Sequence, residues 1–242
     1  MGTYKTEQIF SGLKLLPGAN LMNNLMTVAA NNFGVYYFNS VAIATTSTIF
    51  GTLVSALTGY TFAKYQFKYK KALFLIVLST LMIPMQLGLV GFLMEMRILR
   101  MSDTHWPLIL PPIASAFGVY WMRSYISSGV PDELIESGRA DGASELRIFF
   151  QIVLPITRPA LVTIFLYLFL QNWNSYLVPL VVISSDRLFT IPIAISKLSE
   201  MFRVDYGSRI LALSIATLPI VSMFSFGSKD LIRGLTMGAI KE

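Results

Sequence analysis

Long uncharged segments alternate with short charged ones along this chain. Lys64 is the only Asp, Glu, Lys or Arg between residues 15 and 65, and four further segments of 17 to 27 residues carry no charge. A helix that crosses a bilayer needs about 20 mostly apolar residues. The pattern therefore predicts an all-α, polytopic transmembrane helical bundle with about five spans, at 38–63, 72–94, 106–125, 159–184 and 210–227. The third is the weakest, because three prolines crowd its start.

Composition agrees with the hydropathy pattern. Only 13% of the residues are charged, whereas a soluble domain has roughly a quarter. The net charge of +6 could suggest a nucleic-acid partner, but basic residues that hold membrane loops at the cytoplasmic side explain it better, so no nucleic acid is expected. Cysteine is absent, which excludes thiolate metal sites, thiol catalysis and disulfides.

The basic loops predict the orientation of the spans. Segment 64–71 carries four lysines and no acid, and short basic loops lie in the cytoplasm. By alternation, the loop 127–158 and the tail 229–242 are cytoplasmic, and the loops 95–105 and 185–209 are external. Residues 1–37 form an external or interfacial segment, with a possible helix at 21–32, ahead of a membrane domain at 38–228.

The loop 127–158 has an amphipathic pattern of its own. Pro131 suits the first position of a helix, and Gly142 can take the left-handed conformation that ends one. A second short helix follows, with Leu146, Phe149, Phe150 and Val153 spaced along one face. The residues alone leave two interpretations open: a helix that lies in the membrane interface without a partner, or a docking element for a cytoplasmic protein.

This loop also resembles a known signature, E-A-A-x3-G-x9-I-x-L-P, of the integral-membrane subunits of ATP-driven (ABC) importers. Glu136, Gly142, Ile152, Leu154 and Pro155 stand at its spacings. The two alanines are replaced by Ser137 and Gly138, which are also small. Further stretches, at 169–180, 189–192, 205–207 and 233–241, match in order and spacing. The chain therefore resembles the maltose-type family of carbohydrate-importer permeases.

The resemblance implies a function and a set of partners. The chain would be a non-catalytic permease subunit of the bacterial cytoplasmic membrane that imports sugars, with oligosaccharides as the expected substrates. It would work with a second permease, two ATPase subunits that hold ATP and Mg²⁺, and an external solute-binding protein. The loop would be the coupling helix, with ATPase contacts from Glu136, Ser137, Gly138, Asp141, Gly142, Ala143, Ile152, Leu154 and Pro155. The family has six spans, so the first one is expected to be missing here.

Polar residues inside the predicted spans are candidates for a substrate path. Such residues are costly in hydrocarbon and usually face a bundle interior or water. Amides and aromatic rings suit sugars, which offer both hydroxyls and apolar C–H faces. The candidates are Gln86, Gln171, Asn172, Trp173, Asn174 and Tyr176. Hydrogen bonding between helices is the alternative role for these side chains.

Other functional classes fit less well. A transporter driven by an ion gradient would be expected to hold acidic residues within its spans, and a membrane hydrolase a His or an acid pair; the predicted spans have neither. His105 lies at a predicted external boundary, where a solvated histidine is the simpler interpretation. No phosphate-binding Gly-Lys-Ser/Thr loop occurs, so we expect no cofactor in this chain. Within the importer class, a polyol or a sugar phosphate remains an alternative substrate.

Overall fold

The computed structural model of the chain describes residues 1–12, 16–201 and 205–239, and those ranges contain helices and connecting loops but no β-strand. This confirms the all-α prediction. The α-helices are α1 Thr6–Ile9, α2 Leu21–Ala30, α3 Phe33–Lys64, α4 Lys70–Thr80, α5 Leu89–Ile98, α6 Trp106–Ile113, α7 Ala116–Gly129, α8 Asp132–Ala140, α9 Glu145–Ile148, α10 Leu154–Ile156, α11 Arg158–Trp173, α12 Leu177–Val182, α13 Ile191–Met201 and α14 Tyr206–Ala239. Short 3-10 turns precede α5 (Met85–Gly88) and α13 (Asp186–Leu188), and a π-helical segment (Phe149–Val153) joins α9 to α10.

Helix α3 is the central element of the bundle, packing against α6, α7 and α11. Ser47, Gly51, Ser55 and Gly59 follow one another at intervals of four along α3, and all four are buried. Residues four apart share one face of a helix, so these small side chains form a continuous stripe. A β-carbon at Gly59 would lie 2.7 Å from the β-carbon of Met122 on α7. The stripe therefore allows α7 to approach the backbone of α3 closely.

The number of spans remains a prediction. Among the described residues, α3 and the Tyr206–Ser225 part of α14 are long and apolar enough to cross a membrane. Two further crossings are possible if bent pairs count as single spans: α4 with Met85–Ile98, bent by 86°, and Glu145–Ile156 with α11, bent by 84°. By length and composition alone, the described residues thus offer two to four spans, and the count of five is neither confirmed nor excluded.

The prediction of one continuous helix at 106–125 was wrong. Helix α6 ends at Ile113 and α7 begins at Ala116, because Pro111 and Pro112 lack the N–H groups that would continue the hydrogen-bond ladder. Ser115 is extended (ψ 109°), and its hydroxyl accepts a hydrogen bond from the Gly118 backbone N–H at 3.0 Å, which caps α7. The predicted span 159–184 is likewise interrupted, between α11 and α12.

The loops that were predicted to share the external side do meet at one end of the bundle. The Asp103 carboxylate accepts hydrogen bonds from the backbone N–H groups of Ser184 and Ser185, at 2.9 and 2.8 Å. The Ser185 hydroxyl also donates to this carboxylate. The three bonds lower the pKa of the Asp103 carboxyl, and the bond from the Ser185 hydroxyl has the largest effect. The Tyr36 hydroxyl, near the start of α3, donates to Asp186 at 2.7 Å.

The opposite end of the bundle holds the segments that were predicted to be cytoplasmic. At the end of α3, Lys64 donates to the Val130 carbonyl at 2.6 Å and to the Asp132 carboxylate at 2.5 Å. The lysine-rich connection and the start of α8 therefore lie together. Helix α14 continues to Ala239, so the boundary predicted at 228/229 is not a helix end; residues 240–242 of the predicted tail lie outside the described residues.

The N-terminal segment contains the predicted helix, confirmed as α2, and packs on the start of α14. The Asn24 side-chain amide donates to the backbone carbonyls of Gly2 and Tyr4, at 2.8 and 3.1 Å. A β-carbon at Gly207 on α14 would overlap the Tyr4 carbonyl oxygen. Residues 1–12 and 16–31 therefore form a cap at the end that is predicted to be external.

Cysteine scanning tests this orientation, since the chain has no native cysteine. We expect Asn23→Cys, on α2, to react in intact cells with a membrane-impermeant maleimide. Tyr69→Cys and Ser128→Cys, both exposed at the opposite end, should react only after the membrane is opened. Labelling of the latter two from outside, with Asn23→Cys protected, would mean that the bundle is inverted.

Candidate coupling segment and translocation cavity

Helix α8 begins at Asp132, one residue later than the predicted start at Pro131. Pro131 is extended (φ −61°, ψ 139°) and serves as the cap residue, so that Asp132 is the first helical residue. Asp132 and Glu133 then lie in the first turn, where carboxylates interact favourably with the helix dipole. The helix is therefore fixed by local chemistry at its start.

The end of α8 is a Schellman motif built on Gly142. The Gly142 N–H bonds to the Arg139 carbonyl and the Ala143 N–H to the Gly138 carbonyl, both at 3.0 Å. Gly142 has φ +75°, a conformation that glycine adopts without the steric penalty of a β-carbon. Among the described residues, no heavy atom outside its own neighbourhood lies within 4 Å of a β-carbon built at Gly142. The turn therefore projects away from the rest of this chain.

The second helix of the segment differs from the prediction. Leu146 and Phe150 are 61% and 56% exposed, whereas Phe149 and Val153 are buried, so the four residues do not share one environment. The cause is the π-helical stretch Phe149–Val153, in which the Leu154 N–H bonds to the Phe149 carbonyl, five residues earlier. This spacing turns Ile148 and Val153, five residues apart, toward the same core.

Some of the residues that the resemblance assigns to ATPase contact are exposed, and others pack within this chain. A β-carbon at Gly138 would lie 3.1 Å from Ile152 and 3.2 Å from Ile148, so the need for a small residue there arises from packing within this chain. The remaining positions reach the surface to different degrees: Glu136, Ser137, Asp141, Gly142 and Pro155 are exposed, whereas Ala143, Ile152 and Leu154 are partly buried.

The carboxylate of Glu145, which was not among the predicted site residues, joins the two helices of the segment. Glu145 accepts a hydrogen bond from Arg139 Nε at 2.7 Å, one from the Tyr65 hydroxyl, and one from the Tyr60 hydroxyl at 3.3 Å. These bonds, with that from Arg139 the strongest influence, hold the pKa of the Glu145 carboxyl below its usual range. The tyrosines are 80 and 85 residues away in sequence, so no local pattern reveals the contact.

A cavity of about 670 Å³ lies between α3, α6, α11 and α12. Five of the six candidate path residues line it, although they come from two distant parts of the chain. They are Gln86, Gln171, Asn172, Asn174 and Tyr176. The volume is in the range of small-molecule sites. The break between α11 and α12, which interrupts the predicted span, opens this polar stretch toward the cavity.

Trp173 is the one candidate that does not line the cavity. It is 3% exposed and stacks on Phe169, with ring centroids 5.6 Å apart. Its edge contacts Tyr37 of α3, 5.8 Å away. Gln171 and Asn174 line the cavity, whereas the Trp173 side chain points away from it. The indole is therefore a core residue between α3 and α11.

The polar groups of the cavity are neutral, and some are already engaged. The Asn172 side-chain amide donates to Ser47 and Thr48 of α3, at 3.1 and 3.3 Å, which is the interhelical role considered for these amides. Thr190 lines the cavity and is only 5% exposed, and its hydroxyl has no hydrogen-bond partner among the described residues. Thr190 belongs to the matched stretch 189–192 but was not predicted to line a path, because it lies outside the predicted spans.

Aromatic rings form a second part of the lining. Phe117 of α7 and Tyr167 of α11 pack with centroids 4.5 Å apart, and both line the cavity. None of the lining residues within the described part of the chain is Asp, Glu, Lys, Arg or His. The cavity therefore offers hydroxyls, amides and aromatic faces without a formal charge.

Metal chemistry finds no support in the described residues. They contain no group of three or more His, Cys, Asp or Glu side chains that could hold a metal ion. The His105 ring contacts the Leu188 carbonyl at 3.1 Å and so helps to join two loops at the end of the bundle that is predicted to be external.

A helical membrane bundle that surrounds a cavity and presents a helix–glycine turn–helix segment at one end is the architecture of a transporter membrane subunit. The chain belongs to the family described as "Binding-protein-dependent transport system inner membrane component", whose model matches residues 48–231. It is thus a permease of the ABC transporter class.

Curated relatives extend over nearly the whole chain. The lactose transport system permease protein LacG of Rhizobium radiobacter is 33% identical over 240 residues, covering 99% of this chain and 87% of LacG. The arabinooligosaccharides transport system permease protein AraQ of Halalkalibacterium halodurans is 33% identical, covering 98% and 86%. The sn-glycerol-3-phosphate transport system permease protein UgpE of Pectobacterium atrosepticum is 30% identical, covering 96% and 86%.

Solved structures support the fold. A bacterial ABC transporter involved in the import of the acidic polysaccharide alginate matches with a TM-score of 0.78 at 20% identity, covering 94% of this chain and 86% of that one. The MetNI methionine ABC transporter, in an inward-facing conformation, matches with a TM-score of 0.60 at 18% identity, covering 87% and 97%. The helical architecture is therefore that of ABC importer permeases.

Proposed function

We propose that this chain is one of two permease subunits of an ATP-driven importer for sugars in the bacterial cytoplasmic membrane. The single observation that supports the proposal most strongly is the α8–Gly142–α9 segment, exposed at the lysine-rich end of a family member. Its turn has open space around it, as a docking element requires. One of two ATPase subunits, which hold ATP and Mg²⁺, would bind there, and an external solute-binding protein would deliver the sugar at the opposite end.

The cavity supports a neutral sugar rather than an anionic substrate. Relatives at similar identity are named for neutral sugars and for a phosphate ester, so identity alone does not choose between them. A charged group in an apolar bundle needs a counter-charge, and the described lining residues supply none. The absence of lining carboxylates likewise gives no support to coupling with an ion gradient. Import of a neutral sugar is therefore the function that this chain's half of the path favours, and the name of the AraQ relative supports an oligosaccharide.

Co-purification tests the proposal. The chain, tagged and extracted from its native membrane in mild detergent, should bring with it an ATPase subunit and a second permease that mass spectrometry can identify. The complex in proteoliposomes should hydrolyse ATP faster when its solute-binding protein and sugar are added. An isolated chain that transports a substrate with an ion gradient and without an ATPase would contradict the proposal.

A pair of substitutions tests the assignment of the cavity. We expect Gln171→Ala to leave assembly intact and to lower sugar uptake about fivefold, the effect of losing a hydrogen bond worth about 1 kcal/mol. Trp173→Ala should instead reduce the amount of assembled complex, because truncating a buried tryptophan costs about 3–5 kcal/mol. Uptake should be normalised to complex recovered by affinity purification.

The control for this pair is Gln66→Ala, which removes an exposed amide from the α3–α4 loop, away from the cavity. It should assemble and transport normally. Normal transport by Gln171→Ala, or normal assembly with impaired transport for Trp173→Ala, would reverse the roles that the geometry gives these two residues.

A further inference from the structure

The carboxylate of Glu145 is the meeting point of three chain segments. Arg139 on α8 and Glu145 at the start of α9 form an ion pair, with Nε and Oε1 2.7 Å apart. The other carboxylate oxygen accepts from Tyr65, just beyond α3, and from Tyr60 within α3. One side chain thus links both helices of the coupling segment to the end of α3.

A second contact links the beginning of α8 to the same end of α3. The Lys64 side chain is only 7% exposed, and its ammonium group donates to the Val130 carbonyl and to Asp132. Lys64 and Tyr65 are adjacent in sequence, so both ends of α8 are attached to one point of α3. We call this set of contacts (Lys64, Tyr65, Arg139 and Glu145, with Tyr60 beneath) the α3 joint.

Helix α3 also reaches the cavity. Its Ile43 lines the cavity, and its Ser47 and Thr48 receive hydrogen bonds from Asn172, another lining residue. A single unbroken helix, Phe33–Lys64, therefore runs from the α3 joint to the cavity wall. The covalent route from the coupling segment into α11 instead passes through an 84° bend.

We propose that Glu145 is a positioning residue that fixes the coupling segment to α3, so that a displacement of the segment by the ATPase subunit moves α3 and the cavity wall together. The proposal rests on the proposed function above and deepens it by naming the helix that receives the movement. In this mechanism the Arg139–Glu145 pair acts in transport rather than in folding. The Arg139 and Glu145 side chains are 42% and 45% exposed, and ion pairs that exposed contribute little to the free energy of unfolding.

The test uses Glu145→Ala in the complete importer, reconstituted in proteoliposomes with its solute-binding protein and sugar. We expect normal recovery of the ATPase subunit and normal stimulated ATP hydrolysis, but a several-fold rise in ATP consumed per sugar imported. Glu95→Ala removes an exposed carboxylate from α5, at the other end of the bundle, and should leave this ratio unchanged. Loss of the ATPase subunit from Glu145→Ala would overturn the proposal, since Glu145 would then be a direct contact with that partner.

A reversible covalent cross-link between positions 65 and 145 distinguishes a positioning role of Glu145 from a general contribution to stability. Tyr65→Cys with Glu145→Cys, in a complex whose other reactive cysteines have been removed, can be bridged by a short bifunctional methanethiosulfonate. We expect the unbridged pair to be uncoupled, bridging to restore the ratio of ATP to sugar, and a reductant to abolish the rescue. A normal ratio before bridging, or no recovery after it, would overturn the proposal.

If Glu145→Ala and the unbridged pair both fail to reach the membrane, Glu145 acts in folding and the proposal is overturned. The two levels of failure are also distinguishable. If no ATPase subunit co-purifies with the unmodified chain, the proposed function itself fails. If the subunit is bound and stimulated normally but the variants at the α3 joint keep a normal ratio of ATP to sugar, only the role of α3 is refuted.

Discussion

Substitution of Gly142 by leucine is expected to abolish sugar uptake and its stimulated ATP hydrolysis while the chain remains inserted in the membrane. The backbone has φ +75° at this position, which costs a residue with a β-carbon about 1–2 kcal/mol. The site is otherwise open within this chain. A leucine side chain would therefore extend into the space that we assign to the ATPase subunit, and a steric clash at a docking surface is more damaging than the strain alone.

Two companion variants separate strain from bulk. Gly142→Ala carries the backbone strain with little added volume, and Gly142→Asn tolerates a positive φ better than other side chains do. We expect both to retain more pull-down of the ATPase subunit and more uptake than Gly142→Leu. The measurements are stimulated ATPase activity in proteoliposomes and pull-down of the ATPase subunit. If the leucine protein is normal in both and in uptake, α8–Gly142–α9 is not the coupling element.

The helix and glycine turn of the candidate coupling segment could be predicted from sequence because their determinants are local. The acids at the start of α8 and the glycine at its end are signals read within one turn of helix. The face of the second helix was predicted wrongly, because a π-helical turn at 149–153 changes the spacing of buried positions, and no simple pattern marks such a turn. The link from Glu145 to Tyr65 depends on how distant helices pack.

The cavity was predicted in composition but not in shape. A cluster of amides within an apolar stretch predicted a substrate path along Gln171 and Asn174. Both line the cavity, and their contact with a substrate stays a prediction. Trp173 was included because it stands among them, yet helical geometry places adjacent residues about 100° apart, on different faces. Thr190 was missed because its burial results from the fold around it.

The close packing of α3 against a neighbouring helix can be predicted from the sequence. Small residues recur at intervals of four from Ser47 to Gly59, a spacing that in membrane helices marks close contact with a neighbouring helix. The structure brings α7 onto this stripe: a β-carbon at Gly118 would overlap the Ser55 hydroxyl. The two helices approach so closely that neither Gly59 of α3 nor Gly118 of α7 has room for a larger side chain.

We therefore expect Gly59→Leu to prevent correct packing of α3 against α7 and to remove most of the folded chain from the membrane fraction. A β-carbon at this position would lie 2.7 Å from Met122 Cβ and 2.8 Å from the backbone nitrogen of Arg123. Backbone atoms cannot move aside as a flexible side chain can, and overpacking of this kind costs about 1–3 kcal/mol or more. Recovery of monodisperse complex after detergent extraction measures the effect.

Gly34→Leu is the matched control, because Gly34 lies in the same helix and has no atom within 4 Å of a built β-carbon. Both substitutions place a leucine in α3 and remove one glycine, so they change helix propensity and hydropathy alike. A loss of folded complex in Gly59→Leu alone can then come only from the contact with α7. Equal recovery of the two variants would show that α3 and α7 do not approach as closely as the stripe of small residues requires. The cavity and the α3 joint would then need a different arrangement of helices, since both depend on α3 being held at that distance.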